Sequence, residues 1–289
     1  MKHNVGGQAV IEGVMMKAPE GWSVAVRDPR GEIHVKQVPT APRTGFPKLP
    51  VIRGVIALYD AIVIGIKAID FSASKAYAEE GQKPLSAASV AMTILVAFAL
   101  TILLFILLPL YLTKLVPFTA DSSAWFNTVD GVIRVLLFIL YIFLVGLWKD
   151  MARIFEYHGA EHKVIHAYEE GIELIPDKIR EFSSRHPRCG TSFLFIVMIL
   201  SILVFSFIPH TWGFLAKFVA RIVLIPLIAG FSYEALRLSA RMKSNLFVRT
   251  MILPGLLLQR LTTREPDDSQ LEVAIIALRK AVVLGGEHA

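Results

Sequence analysis

Short alternating segments open the chain and long apolar runs follow. No charged residue occurs from 85 to 113, well beyond the roughly 20 residues with which a helix crosses a bilayer. Residues 132–148 form a second apolar run, with Arg134 near one end and Trp148-Lys149, an interfacial pair, at the other. A third, 191–207, is rich in Phe, Ile, Leu and Val, and a fourth, 214–233, is interrupted by Lys217, Arg221 and Pro226. The two cations of the fourth run would either snorkel to headgroups or face the bundle. The pattern predicts a mainly α polytopic membrane protein with about four transmembrane helices.

Ahead of the spans the period changes. Ser23-Val24-Ala25-Val26-Arg27 and Glu32-Ile33-His34-Val35-Lys36 alternate around the turn signal Asp28-Pro29-Arg30-Gly31, which predicts short β-strands. Gly6 to Met16 is an apolar run with glycines at both ends, where the chain bends or approaches another backbone closely. A proline-rich connector, 39–50, leads to residues 51–71, in which Arg53, Asp60 and Lys67 fall seven apart on one helical line. That narrow stripe predicts an amphipathic helix that lies in the interface or against the bundle rather than a span. Near the C-terminus, 247–261 reads as an interfacial or re-entrant segment broken at Pro254-Gly255, and Ser269-x-x-Glu272 as a capping box opening an amphipathic helix.

Charge then orients these elements. Among the 289 residues, 54% are hydrophobic and 19% charged, with a formal net charge of +6. The cations concentrate before the first run, between the second and third, and after the fourth, which predicts a multi-pass chain with both termini and residues 149–190 in the cytoplasm. Basic loops beside anionic lipid account for the net charge, so no nucleic-acid partner is expected. The lipid bilayer is the expected environment, and membrane proteins or the insertion machinery are further candidate partners. The resulting division is an N-terminal β-element and connector (1–50), the interfacial helix (51–84), two spans (85–148), a cytoplasmic loop (149–190), two more spans (191–236) and a C-terminal region (237–289). The β-element, loop and C-terminal helix would form a small cytoplasmic cap. Cys189 is the sole cysteine, which excludes an internal disulfide.

Chemistry concentrates in Tyr157-His158-Gly159-Ala160-Glu161-His162-Lys163-Val164-Ile165-His166. On a helix, His158, His162 and His166 recur every fourth residue and share a face, so His158 and His162 can share a divalent metal, zinc above all. His158-x-x-Glu161-His162 also fits the inverted zincin pattern, in which the glutamate is the catalytic proton carrier. A further glutamate ligand would come from Glu181, Glu234 or Glu12. His186-Pro187-Arg188-Cys189 offers His186 and Cys189 as ligands, or a thiolate nucleophile assisted by Arg188 and a helix N-terminus. The plainer readings are a juxtamembrane helix whose histidines bind carboxylates or lipid phosphates, a capping turn on Thr191 or Ser192, and a strand that exposes Glu12.

Gly6-Gly7-Gln8-Ala9-Val10-Ile11-Glu12-Gly13-Val14-Met15-Met16, Arg53-Gly54, the 157–163 segment, Arg188-Cys189-Gly190-Thr191-Ser192-Phe193 and the stretch from Pro254-Gly255 to Leu271-Glu272-Val273-Ala274 resemble the bacterial YqhQ-like family. The resemblance covers nearly the whole chain. It implies an integral membrane protein, and members have been labelled predicted metal-dependent enzymes. Two functions follow as expectations: a cytoplasmic metal site supporting hydrolysis at the membrane surface, or a non-enzymatic factor that binds membrane proteins, insertion machinery or lipid. A transporter fits less well, since few charges lie within the spans.

Overall fold

A computed structural model describes residues 5–40, 49–77, 87–119, 122–209, 211–241 and 246–284. Most of the proline-rich connector lies outside these residues.

The N-terminal region is an antiparallel meander of four strands in the order β1 (Gly6–Val10), β2 (Gly13–Ala18), β3 (Gly21–Arg27) and β4 (Ile33–Pro39). The glycine-flanked apolar run is thus a hairpin, and the β3–β4 turn falls where the sequence signalled it. There the Asp28 carboxylate accepts the backbone N–H groups of Arg30 and Glu32, both at 2.9 Å, and Gly31 takes φ 89°. Helices cover both faces of the sheet. Val14, Met16 and Ala25 point to α5 (Lys149–Glu170) and α10 (Asp268–Val283), whereas Met15, Trp22, Val24 and Val26 meet Ile64 and Ala68 of α1 (Ile52–Ala76). This double coverage explains why β2 and β3 are apolar at nearly every position.

Among the described residues, three helical stretches are long and apolar enough to cross a membrane: Ala91–Lys114, Ser123–Gly146 and Phe214–Ser239. The first joins α2 (Ala87–Ile102) to α3 (Leu108–Lys114) through a π-helical turn, Leu103–Leu107. Pro109 lies just beyond that turn and has no N–H to return to Phe105, which favours the wider winding. The other two belong to α4 (Ser123–Gly146) and α8 (Phe214–Arg241), which are accompanied by the short α6 (Pro176–Ile179) and by α7 (Gly190–Phe205). The fourth expected span is α7, apolar but only 16 residues long. At 1.5 Å per residue it reaches about 24 Å, short of the roughly 30 Å hydrocarbon core.

Lys217 and Arg221 turn inward rather than snorkelling. Arg221 is 1% exposed and donates to Asp130 at 2.8 Å and Asn127 at 3.2 Å, while Arg134 reaches the other Asp130 oxygen at 2.9 Å. Lys217 Nζ sits 3.9 Å from the Phe126 ring centroid. Pairing offsets part of the cost of taking these charges from water.

Two local expectations change, and a third is narrowed to one of its alternatives. Helix α9 (Leu246–Thr262) continues through Pro254, and Gly255 lets it approach Ser192 of α7 closely. The capping box of α10 is Asp267 with Gln270, since Glu272 is held by Arg27 at 2.6 Å and the Ser269 hydroxyl donates to Asp267. The polar stripe of α1 meets protein: Arg53 pairs with Glu234 of α8, and Asp60 lies 3.9 Å from Lys17 of β2. Gly54 and Gly230 make room for that crossing, each occupying a place where a Cβ would lie under 3.0 Å from the facing backbone.

Candidate metal centre

Helix α5 follows directly on the membrane helix α4 and ends at Gly171, which adopts the left-handed φ of 77° that terminates helices. Between these limits, residues 159–165 are buried under β1, β2 and α10. The four-residue spacing stacks His158 on His162, with ring centroids 4.4 Å apart. Facing them is Cys189, the N-cap of α7, whose Sγ accepts the Thr191 N–H at 3.4 Å. The capping turn and the candidate ligand are therefore the same residue.

The hydrogen bonds fix the imidazole orientations. His158 Nδ1 lies 2.7 Å from the Thr262 carbonyl and His162 Nδ1 2.6 Å from the Ser184 carbonyl. A carbonyl only accepts, so both rings carry their proton on Nδ1 and present the Nε2 lone pair. His158 Nε2 is 3.2 Å from Cys189 Sγ, and the buried His162 Nε2, which meets no hydrogen-bond criterion among the described residues, faces the same thiol. One ligand atom from each of the three side chains lies within 4.8 Å of the other two. Tetrahedral zinc, with bonds of about 2.0–2.3 Å, holds its ligand atoms roughly 3.3–3.7 Å apart, so closure on an ion requires only small side-chain movements. Burial holds the His162 pKa below its ordinary value, which keeps the ring neutral, as ligation requires.

The other candidates lie at different distances from this cluster. Glu161 is buried on the same helix, where burial pushes its pKa up to about 7 against the opposing effects of His158 and the Gly7 N–H. Gly7 is required there, since a Cβ would stand 2.8 Å from the Glu161 side chain and from the Met15 carbonyl. His186 is buried with its ring 5.9 Å from that of His162, but its Nδ1 accepts the Arg188 N–H at 3.2 Å and its Nε2 faces Glu169 at 3.4 Å. Arg188 also pairs with Glu169, and His166 bonds the Arg185 carbonyl at 2.9 Å. Glu12 occupies the β1–β2 turn with φ 50°, where Arg153 and the Tyr157 hydroxyl hold its carboxylate. It anchors the hairpin to α5 and does not join the three ligands. Glu234 is committed to Arg53, and Glu181 is exposed.

Residues 49–284 match the family described as "Protein of unknown function (DUF1385)". The chain belongs to that family. It is 32% identical over 295 residues to the "Uncharacterized protein YqhQ" of Bacillus subtilis (strain 168), covering 95% of this chain and 92% of that protein. No solved structure matches it.

In this DUF1385 chain the groups that steer the ligands include several that sequence spacing does not mark. The Thr262 and Ser184 carbonyls are backbone atoms, legible only once α9 and the 180–189 segment are placed. Gln259 is a second case. Fully buried on α9, it accepts the His186 N–H at 2.8 Å, donates to the His186 carbonyl at 2.9 Å and reaches Ser192 at 3.1 Å, clamping the loop that carries Cys189. A polar residue inside the apolar 247–261 run was its one available signal. The cluster opens onto a cavity of about 410 Å³ whose lining includes Gly7, His158, Glu161, His162, Cys189 and Thr191. Two imidazole lone pairs, one thiol and a carboxylate of near-neutral pKa in one cavity form a donor set suited to a borderline divalent ion plus proton transfer.

Proposed function

We propose that this chain is a bacterial inner-membrane protein carrying a divalent-metal centre, zinc in the first place, on His158, His162 and Cys189, and that it hydrolyses a substrate at the cytoplasmic membrane surface. The observation that carries this reading is the paired tautomer. Both histidines spend Nδ1 on backbone carbonyls and turn Nε2 toward one thiol, the outer arrangement expected of metal-ligating imidazoles. When bound, the ion would act as a Lewis acid and lower the pKa of water to about 7. Glu161 takes the proton from the attacking water as its oxygen bonds to the electrophilic atom, then returns that proton to the leaving group. A carboxyl group whose pKa lies at about 7 suits both steps near neutral pH. His186 and Arg188, tied to Glu169, position the loop rather than ligate.

The reading includes α7 as a fourth, short membrane helix paired with α4, α8 and α9, and it places both termini on the side of the metal centre.

Elemental analysis of gently purified protein tests it. Wild type is expected to hold stoichiometric zinc, His158→Ala, His162→Ala and Cys189→Ser to lose it, and Glu161→Gln to keep zinc while losing hydrolysis. Wild-type protein that holds no metal and takes up none on zinc titration at neutral pH sinks the proposal.

A further inference from the structure

Two cavities meet beneath the first strand. Beside the metal-centre cavity lies a larger one of about 770 Å³, enclosed by β1, β2, α1 and α8. Gly6, Gly7, Gln8, Ala61 and Arg188 line both, so the cavity beside the thiol and the one beside the membrane helix are neighbours that share a wall. The walls of the larger cavity are of two kinds. Ala57, Ala61, Ile64 and Leu236 are apolar, while Lys17, Arg188 and Arg237 are cationic, and no carboxylate is among its lining residues. Lys17 is only loosely engaged, 3.9 Å from Asp60, and Arg188 is paired with Glu169. Arg237 is exposed, and the Glu234 carboxylate that Arg53 holds lies within its electrostatic reach.

Tyr233, Leu236 and Arg237 belong to the last turns of the Phe214–Ser239 stretch, where a spanning helix reaches headgroup level. A lined space with an apolar floor, a cationic rim and a position at the interface matches one ligand chemistry: acyl chain below, phosphate above.

We propose that this groove admits an anionic phospholipid from the surrounding leaflet. Its phosphate lies among Lys17, Arg188 and Arg237, and its headgroup end is directed toward His158 and Glu161. As a binding site the groove stands by itself. As an assignment of substrate class it rests on the metal-centre reading.

The test uses the full-length protein in nanodiscs of phosphatidylglycerol and phosphatidylcholine in equal amounts, with co-purifying lipid counted by native mass spectrometry and zinc measured on the same sample. Each cation near a membrane surface favours anionic lipid by about fivefold, so wild type is expected to retain phosphatidylglycerol at least about tenfold over phosphatidylcholine. Lys17→Gln with Arg237→Gln should bring that ratio near parity at unchanged zinc content, and Ala61→Trp, which fills the groove, should remove the retained lipid. Parity in wild type overturns the proposal. Release of the lipid by millimolar inorganic phosphate also overturns it, since the cations would then serve a free anion. Lipid preference without zinc sinks the metal centre and leaves the groove standing, whereas zinc with parity does the reverse.

Discussion

Gly159 sits inside the histidine helix, where local propensity and tertiary packing make opposite predictions. Alanine is the better helix former by about 1 kcal/mol, so propensity alone predicts that Gly159→Ala stabilises. The packing predicts the reverse. A Cβ on Gly159 would lie 2.0 Å from the Arg264 carbonyl oxygen and 3.2 Å from its carbon, both backbone atoms that cannot rotate away. The 262–264 segment would have to retreat by more than an ångström to restore van der Waals contact. That segment is bound to the turn of α5 that precedes the glycine, through Arg264 N–H to the Phe155 carbonyl at 2.9 Å and His158 Nδ1 to the Thr262 carbonyl at 2.7 Å. Overpacking costs about 1–3 kcal/mol and each lost hydrogen bond about 0.5–1.5 kcal/mol, which together outweigh the propensity gain. We therefore expect Gly159→Ala to lose about 1–5 kcal/mol of stability and to weaken zinc binding, because the His158 tautomer depends on the Thr262 carbonyl. Thermal unfolding in detergent and zinc content measure both effects. Gly190→Ala is the control, since nothing lies within 4 Å of a Cβ there. A Gly159→Ala protein that melts at or above the wild-type temperature with full zinc would refute the argument.

Glu161 carries a pH signature. With its native pKa raised from 4.5 to about 7, the folded protein binds more protons than the unfolded chain in that window, so stability of the zinc-free protein should fall as pH rises from 5 to 8, by about 3 kcal/mol in total. Glu161→Gln should abolish that fall and leave the opposite trend from His162, whose lowered pKa costs stability as pH drops below about 6.5; an unchanged melting profile in the variant would count against the burial argument. Gln259→Leu should strand the buried His186 N–H and carbonyl, lower the melting temperature and reduce zinc affinity about 10–100-fold; wild-type affinity in a folded variant would show that the clamp is dispensable. Reporter fusions at Ser122 and Lys178 should report external and cytoplasmic positions respectively, and the reverse at either site would overturn the orientation.

Hydrophobic period and local turn chemistry determined much of this protein without any structure. Uncharged runs longer than a bilayer is thick identify membrane helices, because no tertiary contact is needed to make water a poor solvent for them. The β3–β4 turn was equally legible, since Asp28 and Gly31 satisfy it locally. Four-residue spacing brought His158 over His162 by helix geometry alone.

Tertiary structure decided whatever depended on residues distant in the chain. Glu12 and Glu272 took their roles from distant partners, Arg153 and Arg27, that local pattern did not single out. The tautomer of both histidines rests on the carbonyls of Ser184 and Thr262, one of them more than 100 residues away from its ring. Every residue type carries such a carbonyl, so composition and spacing hold no trace of it. The fold alone aims it, and in doing so turns two helix-spaced imidazoles and a capping thiol into a single donor set.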